Sequence, residues 1–435
     1  MRTTLERYFE FARLGTNWRT EILAGFTTFV TMAYIIFVNP SILSETGMPF
    51  AAVTAATCLS AAVGCLLMGI IARYPIALAP GMGLNAYFTF AVVKGMGVPW
   101  TTALGAVLIS GLLFLILTAV GIRQMIMEAI PRELYAAVAV GIGLFIAFVG
   151  FSNAGIVVPN PATLVSLGNL RAPATLLALF GLFLTGALTI WRVRGAMLLG
   201  VAGTALAGMV TGVVKWSPQP YSVAAISGTF LKLDVLAASK IGLVEIVFVF
   251  LFVDLFDNIG TLVAVGKRAG LFDGDGKIPR LNGILTADAL ATTAGSMFGT
   301  STVVSYIESA AGVVAGGRTG VAAIVTGLLF LAAFFVAPAA GVIPVQATAP
   351  ALILVGALML GHAAEIEWSD PLQSIPAFLT MTAIPLTFSI ANGLAFGFVS
   401  STVLKVLAGK WRSIHWLVYL LAALCAARFF YLGKA

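Results

Sequence analysis

Twelve apolar runs of about 17 to 25 residues follow one another along the chain, each long enough to cross a lipid bilayer as a helix. They lie near 22-43, 51-72, 101-121, 134-155, 173-191, 196-214, 241-266, 281-298, 319-337, 343-363, 371-390 and 392-409. Two further stretches are broken: 76-93 by Pro80, Gly81 and Gly83, and 299-316 by its Thr and Ser residues. Hydrophobic residues make up 60% of the 435 and charged residues only 9%, with a mean hydropathy of +1.05, a composition that fits a polytopic membrane protein and no water-soluble domain. The expected class is all-α, because a backbone in hydrocarbon must satisfy its own hydrogen bonds. With both broken stretches counted there are fourteen crossings. A last apolar stretch, 415-432, either makes a fifteenth or lies along the surface.

Orientation follows from the bias of basic residues toward the cytoplasm. With the N-terminus inside, seventeen Lys and Arg fall on the cytoplasmic side, Arg123 among them, and five on the other: Lys94, Arg171, Lys215, Lys232 and Lys240. That asymmetry accounts for the net charge of +7 without nucleic acid. It also supports the count, since one missed crossing would scramble every later loop. The N-terminal stretch carries Arg2, Arg7, Arg13 and Arg19 around Leu5, Tyr8, Phe9 and Phe11, and reads as an interfacial amphipathic helix on the cytoplasmic face. Cys58, Cys65 and Cys425 all lie in apolar segments, and with two histidines, His362 and His415, no disulfide framework, metal cluster or cofactor is implied.

Within the run 241-266, Asp254, Asp257, Asn258 and Thr261 fall at i, i+3, i+4 and i+7, on one helical face. A carboxylate at mid-membrane depth costs about 2.5 kcal/mol or more, so such residues face a protein interior or a water-filled cavity and mark a pathway. Helix packing is the alternative. Asp254 and Asp257 are close enough to repel, so one of them is expected to hold a proton for part of a cycle.

The broken stretches are third and tenth in order, so fourteen crossings divide into seven and seven with one interrupted segment at the same rank in each half. Paired Gly/Pro-interrupted segments point to a transporter's binding site, and an odd repeat length makes the halves inverted. In the tenth, Ser305 to Glu308 has the spacing of a capping box, which would close Glu308 onto its own helix start. A half-helix starting at mid-membrane would instead hold Glu308 in a cavity. In the third, helix resumes near Asn85, a helix cap or an amide suited to a heterocycle edge. Weaker patterns are set aside. The string Gly81 to Ala86 matches a dinucleotide fingerprint without its acidic residue, Asp273 and Asp275 recur as in a calcium loop but Ile284 stands where its glutamate belongs, and His362 reads as interfacial.

The strings PGMGLNAYF (Pro80 to Phe88), FVDLFDNIGTL (Phe252 to Leu262) and SYIESAAGVVAGGRTG (Ser305 to Gly320), with the opening Asn17 to Ile35, resemble the nucleobase/cation symporter family. The similarity is greatest to its adenine, guanine and hypoxanthine permease branch. The resemblance implies two inverted seven-segment repeats arranged as core and gate domains, with short strands in segments three and ten. The halves would be 22-214 and 241-410, flanked by the N-terminal segment 1-21, a linker 215-240 and a C-terminal helix 411-435. It implies substrate contacts from Asp254, Glu308, Asn85 and Gly83, and a pocket shared with Asn258, Thr261, Ser305 and Tyr306. Asp257, Asp254 and Glu308 become candidates for proton coupling. Other branches carry glutamate and histidine at the positions of Asp254 and Asn258, a departure that favours a carboxylate over a histidine relay.

The expectation is a proton-coupled purine nucleobase symporter, with homodimerisation left open. An anion transporter or channel of the same architecture would want a cationic pocket, and segments three, eight and ten hold no Lys or Arg before Lys267. An intramembrane enzyme would want a Ser/His pair or HExxH, and neither occurs there.

Overall fold

A computed structural model describes residues 2–214, 223–240, 243–271, 278–336 and 343–432. Side chains at some positions inside these ranges, Asp257 among them, lie outside the described residues, as does the loop holding Asp273 and Asp275. Among the described residues, seven helices are long and apolar enough to cross a membrane, and four shorter apolar helices accompany them.

The first apolar run is two helices, α3 (Trp18–Met32) and α4 (Ile35–Leu43), started by the Asn17 side chain accepting from Thr20 N. The break at Ala33 and Tyr34 points a tyrosine inward. Then come α5 (Phe50–Leu67), a strand β1 (Leu78–Pro80), a short helix α6 (Met82–Ala86) extended by wider turns to Gly95, and α7 (Trp100–Ala119). After α8 (Ile122–Ala129) the chain forms α9 (Arg132–Asn153), α10 (Pro173–Ile190), α11 (Ala196–Val210) and the linker helix α12 (Val235–Lys240). The second half runs through α13 (Leu243–Ala269), α14 (Leu281–Phe298), a strand β4 (Val303–Ser305) and α15 (Ser309–Val314). It ends with α16 (Gly320–Val336), α17 (Val345–Met359), α18 (Pro371–Thr387), α19 (Ile390–Leu407) and α20 (Trp416–Leu432).

These helices pack as two groups. In one, α5 lies against α14 and α16, α7 against α14, and α3 against α16. In the other, α9 lies along α17 and α18, α18 along α19, and α10 along α11 and α17. Bare glycine backbones let α9 and α17 touch: a Cβ on Gly356 would stand 2.3 Å from the Gly143 carbonyl oxygen.

The interrupted segments meet in the first group. Strand β1 pairs antiparallel with β4, Leu78 opposite Ser305 and Pro80 opposite Val303. Three-residue strands leave their outer edges bare, which in a membrane interior is unfavourable unless something answers them. Side chains do. Cys65 of α5 bonds both the N–H and the carbonyl of Leu78, and Thr292 of α14 does the same for Val303.

One expectation is corrected, and two features go beyond what was expected. A hairpin, β2 (Val157–Asn160) with β3 (Leu164–Leu167), adds strands where none was expected; Val157, Val158 and Val165 favour extended backbone and Asn160 caps the turn. The N-terminal segment, α1 (Arg2–Tyr8) and α2 (Phe11–Leu14), buries Phe9 and Phe11 against Val321 of the protein. Glu10 then ties Arg280 at 2.6 Å and Arg73 at 3.7 Å. Arg123, expected in a loop, is 1% exposed.

Candidate functional site

The start of α6 and the start of α15 both sit beside the strand crossing. Gly81 N donates to Thr302 O at 3.0 Å, Tyr306 N to Ala77 O at 2.9 Å, and the Tyr306 hydroxyl to Pro80 O at 2.5 Å. These bonds fix the last strand residues against the first helical ones, so the backbone turns at Gly81 to Gly83 and at Ser305 to Glu308 line one cavity of about 140 Å3. Phe256 and Thr261 of α13 complete that side. The opposite wall is Ala139 and Ile146 of α9, Val355, Leu358 and Met359 of α17, and His362 just beyond it. The cavity therefore lies between the two helix groups.

Among the described residues, Glu308 is its carboxylate. The capping-box expectation does not hold: Glu308 occupies the cap position of α15 without a side-chain cap bond, and the Ser305 hydroxyl is buried with no partner among the described residues. Instead the Tyr34 hydroxyl donates to Glu308 Oε1 at 2.7 Å, from the bend between α3 and α4. One oxygen is thus oriented by a buried phenol while the residue forms part of the cavity wall.

Of the residues expected here, Gly83, Thr261, Ser305, Tyr306 and Glu308 line the cavity. Asp254, Asn258 and Asn85 do not, and Asp257 lies outside the described side chains. Asn85 is interior to α6, whose cap is Gly81; its amide oxygen accepts from the Ser301 hydroxyl and its Nδ2 has no partner among the described residues. Asp254 belongs to a second, wholly buried cluster. Arg123 Nη2 stands 2.6 Å from Asp288 Oδ2 and 3.5 Å from Asp254 Oδ2, and Nη1 donates to Leu285 O at 3.1 Å. The guanidinium also lies over Phe114, 4.1 Å from the ring centroid. Asn258 Nδ2 donates to Asp288 Oδ1 at 2.8 Å and to Asp254 Oδ1 at 3.2 Å, while its Oδ1 accepts from Ser305 N at 2.9 Å. One amide therefore connects two carboxylates and a guanidinium to the strand that borders the cavity.

Sequence reasoning missed Arg123, Asp288, Tyr34 and His362. The rarity of intramembrane carboxylates would have flagged Asp288 in the run 281-298, whereas Arg123, at a helix end, and Tyr34, one aromatic among many, carried no such signal. His362 lines the cavity with Nδ1 2.9 Å from Glu365 Oε1, rather than standing at the interface alone.

At Gly83 the close approach is measurable. A Cβ there would lie 2.5 Å from Cγ2 of Ile142 on α9, across the boundary between the helix groups. Gly83→Val is expected to abolish transport while leaving expression and monodispersity near wild type, measured as uptake per amount of membrane protein; full uptake would show that this boundary does not need to close.

A sequence profile of the permease family, of the xanthine and uracil type, matches residues 19–396. The adenine permease AdeP of Escherichia coli strain K12 is 44% identical over 97% of this chain and 94% of its own length. The guanine/hypoxanthine permease PbuG of Bacillus subtilis strain 168 is 46% identical over 95% of this chain and 97% of its own. Among solved structures, the transmembrane domain of the cyanobacterial bicarbonate transporter BicA superposes with a TM-score of 0.66 at 14% identity, over 87% of this chain and 98% of that domain. That last likeness is one of fold.

Proposed function

The chain belongs to the xanthine/uracil permease family, a multi-pass membrane transporter and not an enzyme, and on that premise we propose that it imports purine nucleobases by proton symport. The observation that carries the reading is the Glu308 carboxylate, held by Tyr34 in a cavity whose lining, among the described residues, holds no other carboxylate and no Lys or Arg. A purine offers N–H donors beside ring-nitrogen acceptors, so Glu308 can take one or two N–H bonds while backbone N–H groups at the starts of α6 and α15 answer the acceptors. Phe256 and Tyr306 supply flat apolar surface. Relatives named for adenine and for guanine/hypoxanthine support the substrate class. An anion would meet a carboxylate instead of a cation, which weighs against reading function from the bicarbonate transporter's fold.

The fourteen crossings form two inverted halves in this reading. The matched bracing of β1 by Cys65 and of β4 by Thr292, in the second and ninth segments, supports it. The group α3–α7 with α13–α16 is the moving core and α9–α11 with α17–α19 the gate. Sliding one past the other exposes the cavity alternately to each side of the plasma membrane, with the N-terminus in the cytoplasm. Coupling lies in the Arg123 cluster. Two carboxylates against one guanidinium leave one negative charge for a proton to neutralise. Because Asn258 spans that pair and the Ser305 N–H, loading the proton alters the end of the strand that leads, three residues on, to Glu308. Asp254 therefore couples rather than touches the base, and Asp257 remains a second candidate carrier on the same helix.

The test is uptake of radiolabelled adenine and hypoxanthine by cells lacking their own purine permeases. Accumulation above the medium concentration, abolished by a protonophore, is the expected result; no purine uptake by well-expressed protein would overturn the reading, and uptake indifferent to the protonophore would remove the proton.

A further inference from the structure

Away from the transport cavity, a second cavity of about 180 Å3 lies between the turn joining α8 to α9, the last turns of α19 and the start of α20. Its polar lining is Ser401, Thr402, Lys405, Ser413 and His415. Lys405 Nζ gives one of its hydrogens to Glu133 Oε1 at 3.1 Å, which leaves two donors. His415 Nδ1 accepts from Leu417 N at 3.3 Å, so the neutral ring carries its hydrogen on Nε2, as a donor. Thr402 is 9% exposed, and its hydroxyl has no partner among the described residues. A buried hydroxyl with nothing to bond is unfavourable unless a ligand supplies the partner. Donors from an ammonium, an imidazole and hydroxyls converging on one space suit a phosphate.

The surroundings indicate where that phosphate comes from. On α19, Val403, Val406 and Leu407 are exposed apolar side chains, Leu407 at 77%, on the side of the helix turned away from Ser401 and Lys405, so the helix that lines the cavity borders lipid on its other face. Trp411 and Trp416 stand exposed beside the cavity, as aromatic residues do at headgroup depth. Arg132, Lys410 and Arg412 are exposed around it, Arg412 stacked over Trp411. We infer that this cavity is a headgroup site for an anionic phospholipid, the phosphate seated on Lys405, His415 and Thr402 and the acyl chains lying along α19 and α20. The site is independent of the transport reading.

The test uses the full-length protein in detergent, following thermal unfolding as dioleoylphosphatidylglycerol, dioleoylphosphatidylcholine or inorganic phosphate is added. A ligand that binds the folded state raises the transition in a saturable way. Phosphatidylglycerol is expected to raise it by several degrees while phosphatidylcholine and millimolar phosphate leave it unchanged. Lys405→Gln alone would orphan Glu133, so the double change Lys405→Gln/Glu133→Gln is the variant of choice, with Thr402→Val beside it. Each is expected to weaken the apparent affinity for phosphatidylglycerol about tenfold, as loss of a charge-assisted or buried hydrogen bond would. An unaltered response in both variants, or equal stabilisation by phosphatidylcholine, would overturn the site. A full shift with inorganic phosphate alone would make it a soluble-anion pocket and overturn the lipid.

Discussion

Glu308→Gln is expected to lower purine affinity by tenfold or more: the substitution keeps the side chain's shape and removes its charge, and a hydrogen bond to a charged group is worth about 1.5 to 3 kcal/mol. The loss should be seen directly, as ligand binding to purified protein, and not only as lost uptake. Tyr34 sharpens the experiment, since its hydroxyl donates to Glu308 Oε1 and can still donate to the amide oxygen of glutamine. The variant is therefore expected to remain folded, with an unfolding temperature close to wild type. Undiminished binding by folded Glu308→Gln would leave the cavity without its recognition group and would move the substrate elsewhere.

Arg123→Leu has the largest expected effect on the protein itself. Removing one partner of a buried ion pair costs about 3 to 5 kcal/mol, because the charge left behind has neither water nor partner. Here two carboxylates would be left, Asp254 and Asp288, both essentially inaccessible. Poor expression or early unfolding is expected. Asp288→Asn in the Arg123→Leu background removes one of the stranded charges and should recover part of the stability, a coupling that a double-mutant cycle measures. Asp288→Asn alone keeps the Arg123–Asp254 pair, and should fold, bind purine and fail to concentrate it. Concentrative, protonophore-sensitive uptake by that variant would exclude the cluster from energy coupling; a double variant no more stable than Arg123→Leu would show that the carboxylates are not what the arginine holds in place.

The fold was legible to the extent that it is written locally. Apolar runs declare spans, and Pro80, Gly81 and Gly83 declare the interruption because their effect is on their own backbone. Gly83, Ser305, Tyr306 and Glu308, which line the cavity, lie in or beside those interruptions, but their assignment to a pocket came from the family resemblance. What was not legible is which buried charge meets which. Asp254 and Asn258 share a helical face, and nothing in that spacing distinguishes a ligand from an arginine 131 positions earlier, which a helix end swings inward. The far wall was also invisible: Ala139, Ile146, Val355 and Met359 are ordinary apolar residues whose role comes only from the packing of α9 and α17. The hairpin β2–β3 went unread because a loop between spans has no hydrophobic period to betray it.

The pairing of β1 with β4 also bears on how such a chain is made. Leu78 enters the membrane early in synthesis, but its strand partner Ser305 has not yet been translated. Until it arrives, β1 has only Cys65 to hold one edge, with its other backbone groups bare in a lipid environment. The nascent first half is therefore an unfinished object, since 227 of the 435 residues, Ser305 the last of them, must still be added after Leu78. The cavity beside that strand pair is accordingly complete only once both interrupted segments are in place.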